Sequence, residues 1–536
     1  MKAVSTRADQ LRAENERLKQ QVATLEQNYS QLECDYAGVQ RRYAQSEREN
    51  ELLREELARE RSRFFGRSSE KLSDAERTQG RLFDEAEVAA AGEDTEQDEP
   101  RTPVKGHARR RPRRQRVAED VPREEVIIDI DEADKQCACG AELVRIGEET
   151  AEKVEFIPAR KVVKRYRRPK YACKQCEGAG DEDKPAVRVA PMPPAIIPKG
   201  LATASLLSCI ITAKFCDAIP LYRQEKQFAR VGIEIPRQTM ADWMLRVAAA
   251  CEPLVQQLWI AARAGPVMQM DETSVQVMHE PERANTAGSW MWVTRGGVPE
   301  APVILYHYAT SRATTVARDL IGGFEGYFQT DGIELYDRAV ADNEQVVHVG
   351  CWSHARRKFH DAARASKKRG AAQQAIAYIA RIYQVESERE TFADAEAFAA
   401  ARREQLATPL AEFHDWLTTK HDQVAPQSLL GKAVGYTLSQ WPKLMRYLDD
   451  PVLGPDTNPT ERAIRPFVIG RKNWLLAGSP RGAQASAALY SLVETARANG
   501  HEPMFYLWWM LDRLPQAQSA DDYRALLPTR VSPRDL

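Results

Sequence analysis

The sequence lacks long apolar runs and has almost no net charge. It contains no stretch near the ~18 uninterrupted apolar residues of a membrane helix, and its N-terminus has no charged region followed by an apolar one. We therefore expect neither a membrane protein nor a secreted one. The net charge is −1, from 76 Lys+Arg and 77 Asp+Glu, so the chain as a whole does not attract a polyanion. Charge is segregated locally, because an acidic run over 84–99 precedes a basic run over 101–116.

Cysteine is scattered except for one cluster. Of the nine cysteines, only four lie close together in sequence, and these are Cys137, Cys139, Cys173 and Cys176. This is not a disulfide framework, so we expect a protein of the reducing cytoplasm. Two cysteine pairs separated by a predicted hairpin, with alternating segments at 154–156 and 162–166, can converge on one tetrahedral Zn²⁺. Since the first pair is CxC rather than CxxC, a degenerate, metal-free module is the alternative.

The first 57 residues carry a heptad repeat. One register consists of Val4, Leu11, Leu18, Leu25, Leu32, Val39 and Leu53, and the other of Val22, Tyr29, Tyr36, Tyr43 and Leu57. Asn15 falls in the second register, where a buried polar side chain fixes helix alignment. We interpret 1–72 as a coiled-coil dimerisation segment, with an amphipathic helix packed on its own domain as the alternative. Residues 73–122 have too few apolar side chains to offset the entropy of ordering, and are predicted to be a charged, disordered linker.

Basic residues accompany the next two predicted modules. The segment 123–190 is predicted to be the zinc-binding β module, and its basic strands carry Arg165, Arg167 and Arg168, which we expect to contact phosphates. Residues 191–260 have a helical pattern. A helix-turn-helix there would place Arg237 at the start of the recognition helix, with ordinary helix packing as the alternative.

From Pro266 onward the pattern changes to short strands, and two of them end at or just before an aspartate. The first ends at Asp271 and the fourth precedes Asp331, with a short helix over Thr314–Ile321 between the third and the fourth. This order is typical of a ribonuclease H-like fold, in which the first and fourth strands are neighbours. A third acid is expected from a later helix. Glu461, with Asn458 as its predicted cap, is favoured over Glu494, which lies in an apolar helix.

Three carboxylates at one sheet edge suit phosphodiester chemistry. Two Mg²⁺ or Mn²⁺ ions about 4 Å apart can activate the attacking oxygen and stabilise the leaving one, and such ions take oxygen ligands. We therefore predict that Asp271, Asp331 and Glu461 hold two of them. The side chains predicted to contact DNA near this site are Arg356, Arg357, Lys358, Arg465, Arg471, Lys472 and Trp474. His354 is predicted either to contact the scissile strand or to be a packed residue, and Cys351 to belong to the core.

The spacing of the acids predicts an insertion. Asp331 follows Asp271 by 60 residues (331 − 271), whereas Glu461 follows Asp331 by 130 (461 − 331), far more than one strand and one helix need. We predict an all-α insertion at about 361–450 within a catalytic domain of 261–475. It would brace the DNA end or serve only as scaffold. A helical segment over 476–536 completes the chain.

Eight motifs in order along the chain resemble one known family. They are Phe65–Lys71, Ile219–Glu225, Met270–Thr273, Thr330–Gly332, Cys351–Phe359, Asn458–Pro466, Gly470–Trp474 and Ser491–Gly500. They are similar to motifs of the insertion-sequence-66 transposases of bacterial mobile elements. The resemblance implies a multidomain α+β/α protein with an N-terminal coiled coil, a small zinc-binding β module and a ribonuclease H-like α/β catalytic domain with an all-α insertion. It also implies a DDE transposase in which Asp271, Asp331 and Glu461 are the catalytic acids.

These predictions imply particular binding partners and leave two alternative functions. We expect double-stranded DNA, at the element ends and at the target, as the substrate, a homodimer or larger assembly through the coiled coil, and no membrane. The resemblance further implies accessory proteins of the same element. The enzymatic alternative is a ribonuclease H-like nuclease that cuts without joining strands. The other is an inactive dimeric DNA-binding protein that keeps the coiled coil and zinc module.

Overall fold

The structure is a computed structural model that describes residues 2–65, 162–172, 187–365 and 370–532. The chain divides into two compact units, one of residues 1–92 and 193–536 and one of residues 93–192. The predicted linker and the four predicted zinc ligands lie outside the described residues. Over the described ranges, no helix combines the length and the apolar composition needed to cross a membrane.

The heptad region forms one helix, α1 (Lys2–Phe65). Side chains from both registers point into solvent, and Leu25, for example, is 66 % exposed. Between Leu18 and Leu57, the described apolar side chains of the seam of α1 are thus uncovered in a single chain. The helix confirms the local part of the prediction, whereas its pairing with a second helix stays a prediction.

In the unit of residues 93–192, β1 (Lys170–Ala172) pairs antiparallel with β2 (Val187–Val189). Arg168 Nη1 donates to the Ala190 carbonyl at 2.8 Å. The predicted strand over 162–166 is wrong, because residues 162–169 have no regular secondary structure. Pro169 ends this stretch, and a proline has no N–H group to donate to a strand ladder. The first segment of the predicted hairpin lies outside the described residues.

A mixed five-stranded sheet organises the larger unit. Its strands are β3 (Val267–Gln276), β4 (Gly288–Gly296), β5 (Val303–Ala309), β6 (Gly326–Gln329) and β7 (Val346–Val349), in the spatial order β5-β4-β3-β6-β7. The first three strands form an antiparallel meander, and β6 and β7 run parallel to β3. The first and fourth strands of this sheet are therefore hydrogen-bonded neighbours, as predicted.

Helices cover both faces of the sheet. On one face lie α6 (Thr314–Ile321) and α7 (Glu334–Val340), which bury Met268, Met270 and Trp292. The core on the other face contains helices that precede the sheet in the sequence and helices that follow it. These are α2 (Ala204–Phe215), α3 (Leu221–Ala229), α4 (Arg237–Ala250), α5 (Glu252–Arg263), α12 (Asn458–Trp474), α13 (Pro480–Ala498) and α14 (Pro503–Arg513), followed by the short α15 (Ala520–Ala525).

Helix α13 closes the edge strand β5. The backbone N–H groups of Ile304 and Tyr306 donate to Thr495 Oγ1 at 3.0 Å and Ser491 Oγ at 2.8 Å. The Thr495 hydroxyl donates in turn to the Ile304 carbonyl at 2.8 Å. Two hydroxyls one helical turn apart thus replace a neighbouring strand, which protects an edge that would otherwise pair with another chain.

Between β7 and α12 the described chain is helical, as predicted for the insertion. Its helices are α8 (Trp352–Ala365), α9 (Ala371–Glu386), α10 (Ala395–Gln423) and α11 (Leu429–Met445). They share one apolar core, which reaches Val349 of β7. Next to α11, Arg446 Nη1 donates to the His348 carbonyl at 2.7 Å. The insertion is therefore packed directly against the sheet edge strand β7.

Candidate active site

The two aspartates occupy equivalent positions on neighbouring strands. Gln269 of β3 lies opposite Gln329 of β6 in the parallel register, and each aspartate follows its glutamine by two residues. Asp331 lies just beyond the end of β6, as predicted. Asp271 lies inside β3, which continues to Gln276 by pairing with β4. The prediction that this strand ends at Asp271 is therefore wrong, because β4 extends the ladder past the point where β6 stops.

Both aspartates have raised pKa values. Burial, together with the nearby Glu272 and Asp331 carboxylates, raises the pKa of Asp271 to about 7, although a hydrogen bond from the Glu272 N–H and the charge of His354 lower it. Burial also raises the pKa of Asp331, while the charge of His354 lowers it. Like charges held together away from water favour either a proton or a cation between them. This pair of carboxylates is thus suited to bind positive charge.

A buried polar layer lies beneath the acids. Gln269 Nε2 donates to Gln329 Oε1 at 2.7 Å, and the Thr460 hydroxyl donates to Gln269 Oε1 at 2.8 Å. Because side chains two residues apart on a strand share a face, Gln269 lies on the same face of β3 as Asp271. Gln329 is the last residue of β6, and Asp331 follows it by two residues. Thr460 precedes Glu461 directly. The three acid-bearing elements β3, β6 and α12 are therefore connected by hydrogen bonds one layer below the acids.

The start of α12 differs from the prediction. Asn458 is its first residue rather than its cap, and Thr457, at the cap position, makes no side-chain cap hydrogen bond. Instead, the Asn458 N–H and Nδ2 donate to the two carboxylate oxygens of Asp456 at 3.0 and 2.7 Å. The buried Cys351 Sγ accepts from the Thr457 N–H at 3.3 Å. Asp456 and Cys351 thus fix the helix start that presents Glu461.

Glu461 lies beside two cationic side chains. Its Oε2 is 3.2 Å from Arg357 Nη2, and its Oε1 is 3.6 Å from His354 Nε2. Burial lowers the pKa of His354, but the neighbouring Cys351 and Glu461 outweigh burial and raise that pKa to about 9. The charge of His354 also lowers the pKa values of Asp271 and Asp331. His354 is therefore the residue that all three acids have in common.

Glu494, the alternative third acid, has different neighbours. It pairs with Arg497 Nη1 at 3.1 Å on α13, and it affects the titration of Cys216 and Tyr306 rather than that of the aspartates. The helix α13 packs against β5, two strands away from β3. These neighbours favour Glu461 over Glu494 as the third acid, and the assignment remains a prediction.

The donor chemistry of the site fits a hard divalent cation. Within the described ranges, no three Asp, Glu, His or Cys side chains converge closely enough to hold an ion as they stand. The acids nevertheless supply only oxygen ligands, which Mg²⁺ and Mn²⁺ take. Glu461 Oε1 is also a buried oxygen without a hydrogen-bond donor. Its charged neighbour His354 Nε2, at 3.6 Å, is too far away for a hydrogen bond, so this oxygen has a lone pair that a cation could take.

The side chains predicted to contact DNA differ in their exposure. Arg357, Lys358 and Lys472 are exposed, as are Arg165, Arg167, Arg168 and Arg237, whereas Arg465 and Arg471 are half-buried. Arg356 is only 6 % exposed, so its guanidinium leaves little surface for a DNA backbone. Trp474 packs against Phe467 with ring centroids 5.5 Å apart, and Lys214 Nζ lies 5.5 Å from the centre of its ring. Arg471 Nη1 donates to Thr273 Oγ1 at 3.1 Å, on the Asp271 face of β3.

Sequence reasoning missed the buried layer, although a signal was present. Each aspartate is preceded by a glutamine at the same spacing, Gln269 before Asp271 and Gln329 before Asp331, and both glutamines interrupt apolar strand patterns. A polar residue inside a buried strand needs a hydrogen-bond partner. The repeated Gln-x-Asp spacing therefore indicated that the two strands share a polar layer.

Comparison with known proteins places the chain in a family. The profile described as "Transposase IS66 family" matches residues 199–485, and "zinc-finger binding domain of transposase IS66" matches 134–177. "IS66 C-terminal element" matches 491–529, and "Transposase C of IS166 homeodomain" matches 52–126. The chain is 31 % identical over 491 residues to the uncharacterized protein y4jD of Sinorhizobium fredii, covering 89 % of this chain and 94 % of the relative. Another protein of that organism, y4qI, is 32 % identical over 414 residues, covering 75 % of this chain and 74 % of the relative. The chain therefore belongs to the IS66 family of transposases.

Proposed function

We propose that the protein is a DDE transposase that binds the ends of its insertion sequence and catalyses metal-dependent strand cleavage and strand transfer. Asp271, Asp331 and Glu461 are its catalytic acids. The observation that carries this proposal is the buried layer of Gln269, Gln329 and Thr460, because it connects the three elements that bear these acids.

The strand order supports a ribonuclease H-like fold for the catalytic domain. An antiparallel meander of three strands is followed by α6, β6, α7 and β7, and the first and fourth strands are neighbours. In an open sheet of this kind, active-site residues lie at the carboxyl ends of the strands. Asp331 follows the carboxyl end of β6 directly.

The metal ions and the side chains of the protein have separate roles in the mechanism. Two Mg²⁺ or Mn²⁺ ions, held by Asp271, Asp331 and Glu461, would activate the attacking oxygen and stabilise the leaving oxygen of a phosphodiester. The buried layer connects β3, β6 and α12 before DNA binds, so the three acids could close on the cations by side-chain movement while the elements that carry them stay in place. Arg357, exposed beside Glu461, can move from that carboxylate to a phosphate. Water attacks the phosphodiester at the element end and breaks its bond to the 3′ oxygen, which leaves as a 3′-hydroxyl. That hydroxyl then attacks a phosphodiester of the target, bonds to its phosphorus and releases the 3′-hydroxyl of the target strand, without a covalent protein–DNA intermediate.

Other segments supply DNA binding and assembly. Cys137, Cys139, Cys173 and Cys176 all fall within the matched zinc-finger profile, and we assign Zn²⁺ to them. Exposed basic side chains follow α3 into the N-terminus of α4, and we assign these to a helix-turn-helix surface for the element ends. They are Arg223, Lys226, Arg230 and Arg237. The exposed seam of α1 would pair two chains, and proteins of the same element would join the assembly in the cytoplasm.

A cleavage assay tests the proposal. The probe is a duplex that carries the terminal inverted repeat flanking the gene, incubated with Mg²⁺ or Mn²⁺. We expect nicking at the element end that Asp271→Asn abolishes while DNA binding persists. Asp342→Asn, an exposed aspartate paired with Arg318 at 3.3 Å, is the matched control and should retain nicking. Equal nicking by the Asp271 variant would overturn the assignment.

A strand-transfer assay distinguishes the transposase from the two alternative functions. A ribonuclease H-like nuclease cuts the duplex but does not join the freed end to a target plasmid. A DNA-binding protein without chemistry binds the duplex and loses nothing when Glu461 becomes Gln. Joining that depends on Glu461 therefore distinguishes the transposase from both.

A further inference from the structure

Arg312 is held in a defined orientation at the rim of the acid site. It follows β5, and its Nε donates to Glu272 Oε1 at 2.6 Å, with Nη2 contacting the same oxygen. Its guanidinium carbon lies 5.0 Å from the centre of the Trp290 ring. Although anchored on two sides, the side chain is 37 % exposed. Its Nη1 has no hydrogen bond to any part of the chain that the structure describes.

The partners of Arg312 are themselves fixed. The Glu272 side chain is only 2 % exposed, and the Tyr336 hydroxyl donates to its second oxygen, Oε2. Glu272 lies opposite Trp292 in the β3–β4 register, and Ser274 lies opposite Trp290, so Glu272 and Trp290 share a face of the sheet. A buried ion pair gains little net stability, because desolvation of the charges offsets their attraction. The arrangement instead holds the exposed guanidinium in one orientation.

Arg312 also lies at the end of the sheet where β3 and β6 carry the acids. Strand β5 is antiparallel to β4 and β4 is antiparallel to β3, so β3 and β5 run in the same direction and Arg312 follows the carboxyl end of β5. Arg471 contacts Thr273 on the opposite face of β3. Two guanidinium groups therefore flank the acids, one on each side of β3.

We propose that Arg312 binds a phosphate of the cleaved DNA strand next to the scissile phosphate, and that Glu272, Trp290 and Tyr336 hold its guanidinium ready for that contact. The inference rests on the proposed function, since the strand must cross the acids for its neighbouring phosphate to reach Arg312. The partly exposed guanidinium of Arg312 keeps N–H groups that Glu272 does not use, and a guanidinium matches the oxygens of a phosphate in geometry and charge.

The test neutralises one phosphate at a time. Duplexes with the terminal inverted repeat carry a single methylphosphonate at successive positions around the cleavage site, and single-turnover cleavage is measured for each. With the unmodified chain, we expect one position near the scissile phosphate, other than that phosphate itself, to slow cleavage by ~10-fold, as loss of a charged hydrogen bond predicts. With Arg312→Gln, cleavage of the unmodified duplex should be slow, and the penalty at that one position should disappear.

Two variants control for folding and for charge. Arg312→Gln alone leaves the buried Glu272 carboxylate without its partner, so Arg312→Gln is also combined with Glu272→Gln, which leaves no unpaired charge. Arg338→Ala removes an exposed arginine that pairs with Glu334 on α7, and it should keep the full methylphosphonate pattern. Thermal unfolding of each variant reports whether the fold is retained.

The outcomes separate the inference from the proposed function. If the folded double variant keeps the same penalty at every position, Arg312 does not bind a phosphate, and the transposase assignment stands. If the unmodified chain cleaves no duplex with any divalent cation, the proposed function fails and the inference fails with it. Disappearance of a single penalty in the Arg312 variants, with the Arg338 variant unchanged, supports the contact.

Discussion

The hydroxyl of Thr460 offers the sharpest test of the buried layer. Replacing Thr460 with Val keeps the shape of the side chain but removes the donor to Gln269 Oε1, now at 2.8 Å. Leaving a buried acceptor unsatisfied costs about 1–3 kcal/mol. If that cost falls on the placement of Glu461 in the transition state, cleavage slows by between about 5-fold and 150-fold. Thr460→Ser, which keeps the hydroxyl, should stay close to the unmodified protein.

Three measurements separate positioning from general stability. Single-turnover cleavage of the terminal duplex gives the rate, urea unfolding gives the free energy of unfolding, and Mn²⁺ binding to the protein without DNA, followed by electron paramagnetic resonance, reports the site itself. We expect the Val variant to bind Mn²⁺ more weakly and the Ser variant to match the unmodified protein. The reasoning is refuted if Thr460→Ser and Thr460→Val behave alike, or if the Val variant loses stability while rate and Mn²⁺ affinity are unchanged.

Three further predictions concern the rest of the chain. Thr495→Val removes the hydroxyl that accepts from the Ile304 N–H and should lower the free energy of unfolding by about 1–3 kcal/mol, with Thr419→Val, whose hydroxyl bonds only its own exposed helix, as a neutral control. Burial lowers the pKa of Lys214 to about 8, so its charged form is disfavoured in the folded chain, and Lys214→Met should stabilise the protein at pH 7 by roughly 1–3 kcal/mol. This gain in stability should shrink between pH 8 and 10.5, as the lysine loses its proton in the unfolded chain as well. A gain that stays constant across that pH range would exclude a charge effect. Leu25→Asp in α1 should shift the sedimentation coefficient of the full chain toward that of a monomer, whereas Glu26→Gln should not.

The order of strands and acids was predictable because it depends on local patterns. Short apolar strands followed by Asp271 and Asp331 indicated the sheet, and the separation between Asp331 and Glu461 indicated a helical insertion before any tertiary contact was known. Such patterns carry information about which residues face a core. The α1 helix was predictable for the same reason, since its heptads are regular.

The errors concern choices that only packing decides. Asp456, Thr457 and Asn458 are all residues that cap helices, and the cap depends on Cys351 and Asp456, which meet there only in the folded chain. The burial of Arg356 depends on how the other helices of the insertion pack against α8. Arg312 reaches Glu272 because β5 and β3 run in the same direction on either side of β4, and a separation of 40 residues conceals that contact from a reading of the sequence.

The contact between α13 and β5 has a consequence for shortened copies of the gene. Asp271, Asp331 and Glu461 all precede Ser491, so a product that stops at Tyr490 would retain every proposed catalytic acid. It would lack both hydroxyls that cover Ile304 and Tyr306, and the open strand would be free to recruit other polypeptides. We expect such fragments to precipitate with one another or with intact copies, so that an element decaying from its 3′ end would lose mobility through insolubility while its catalytic codons were still intact.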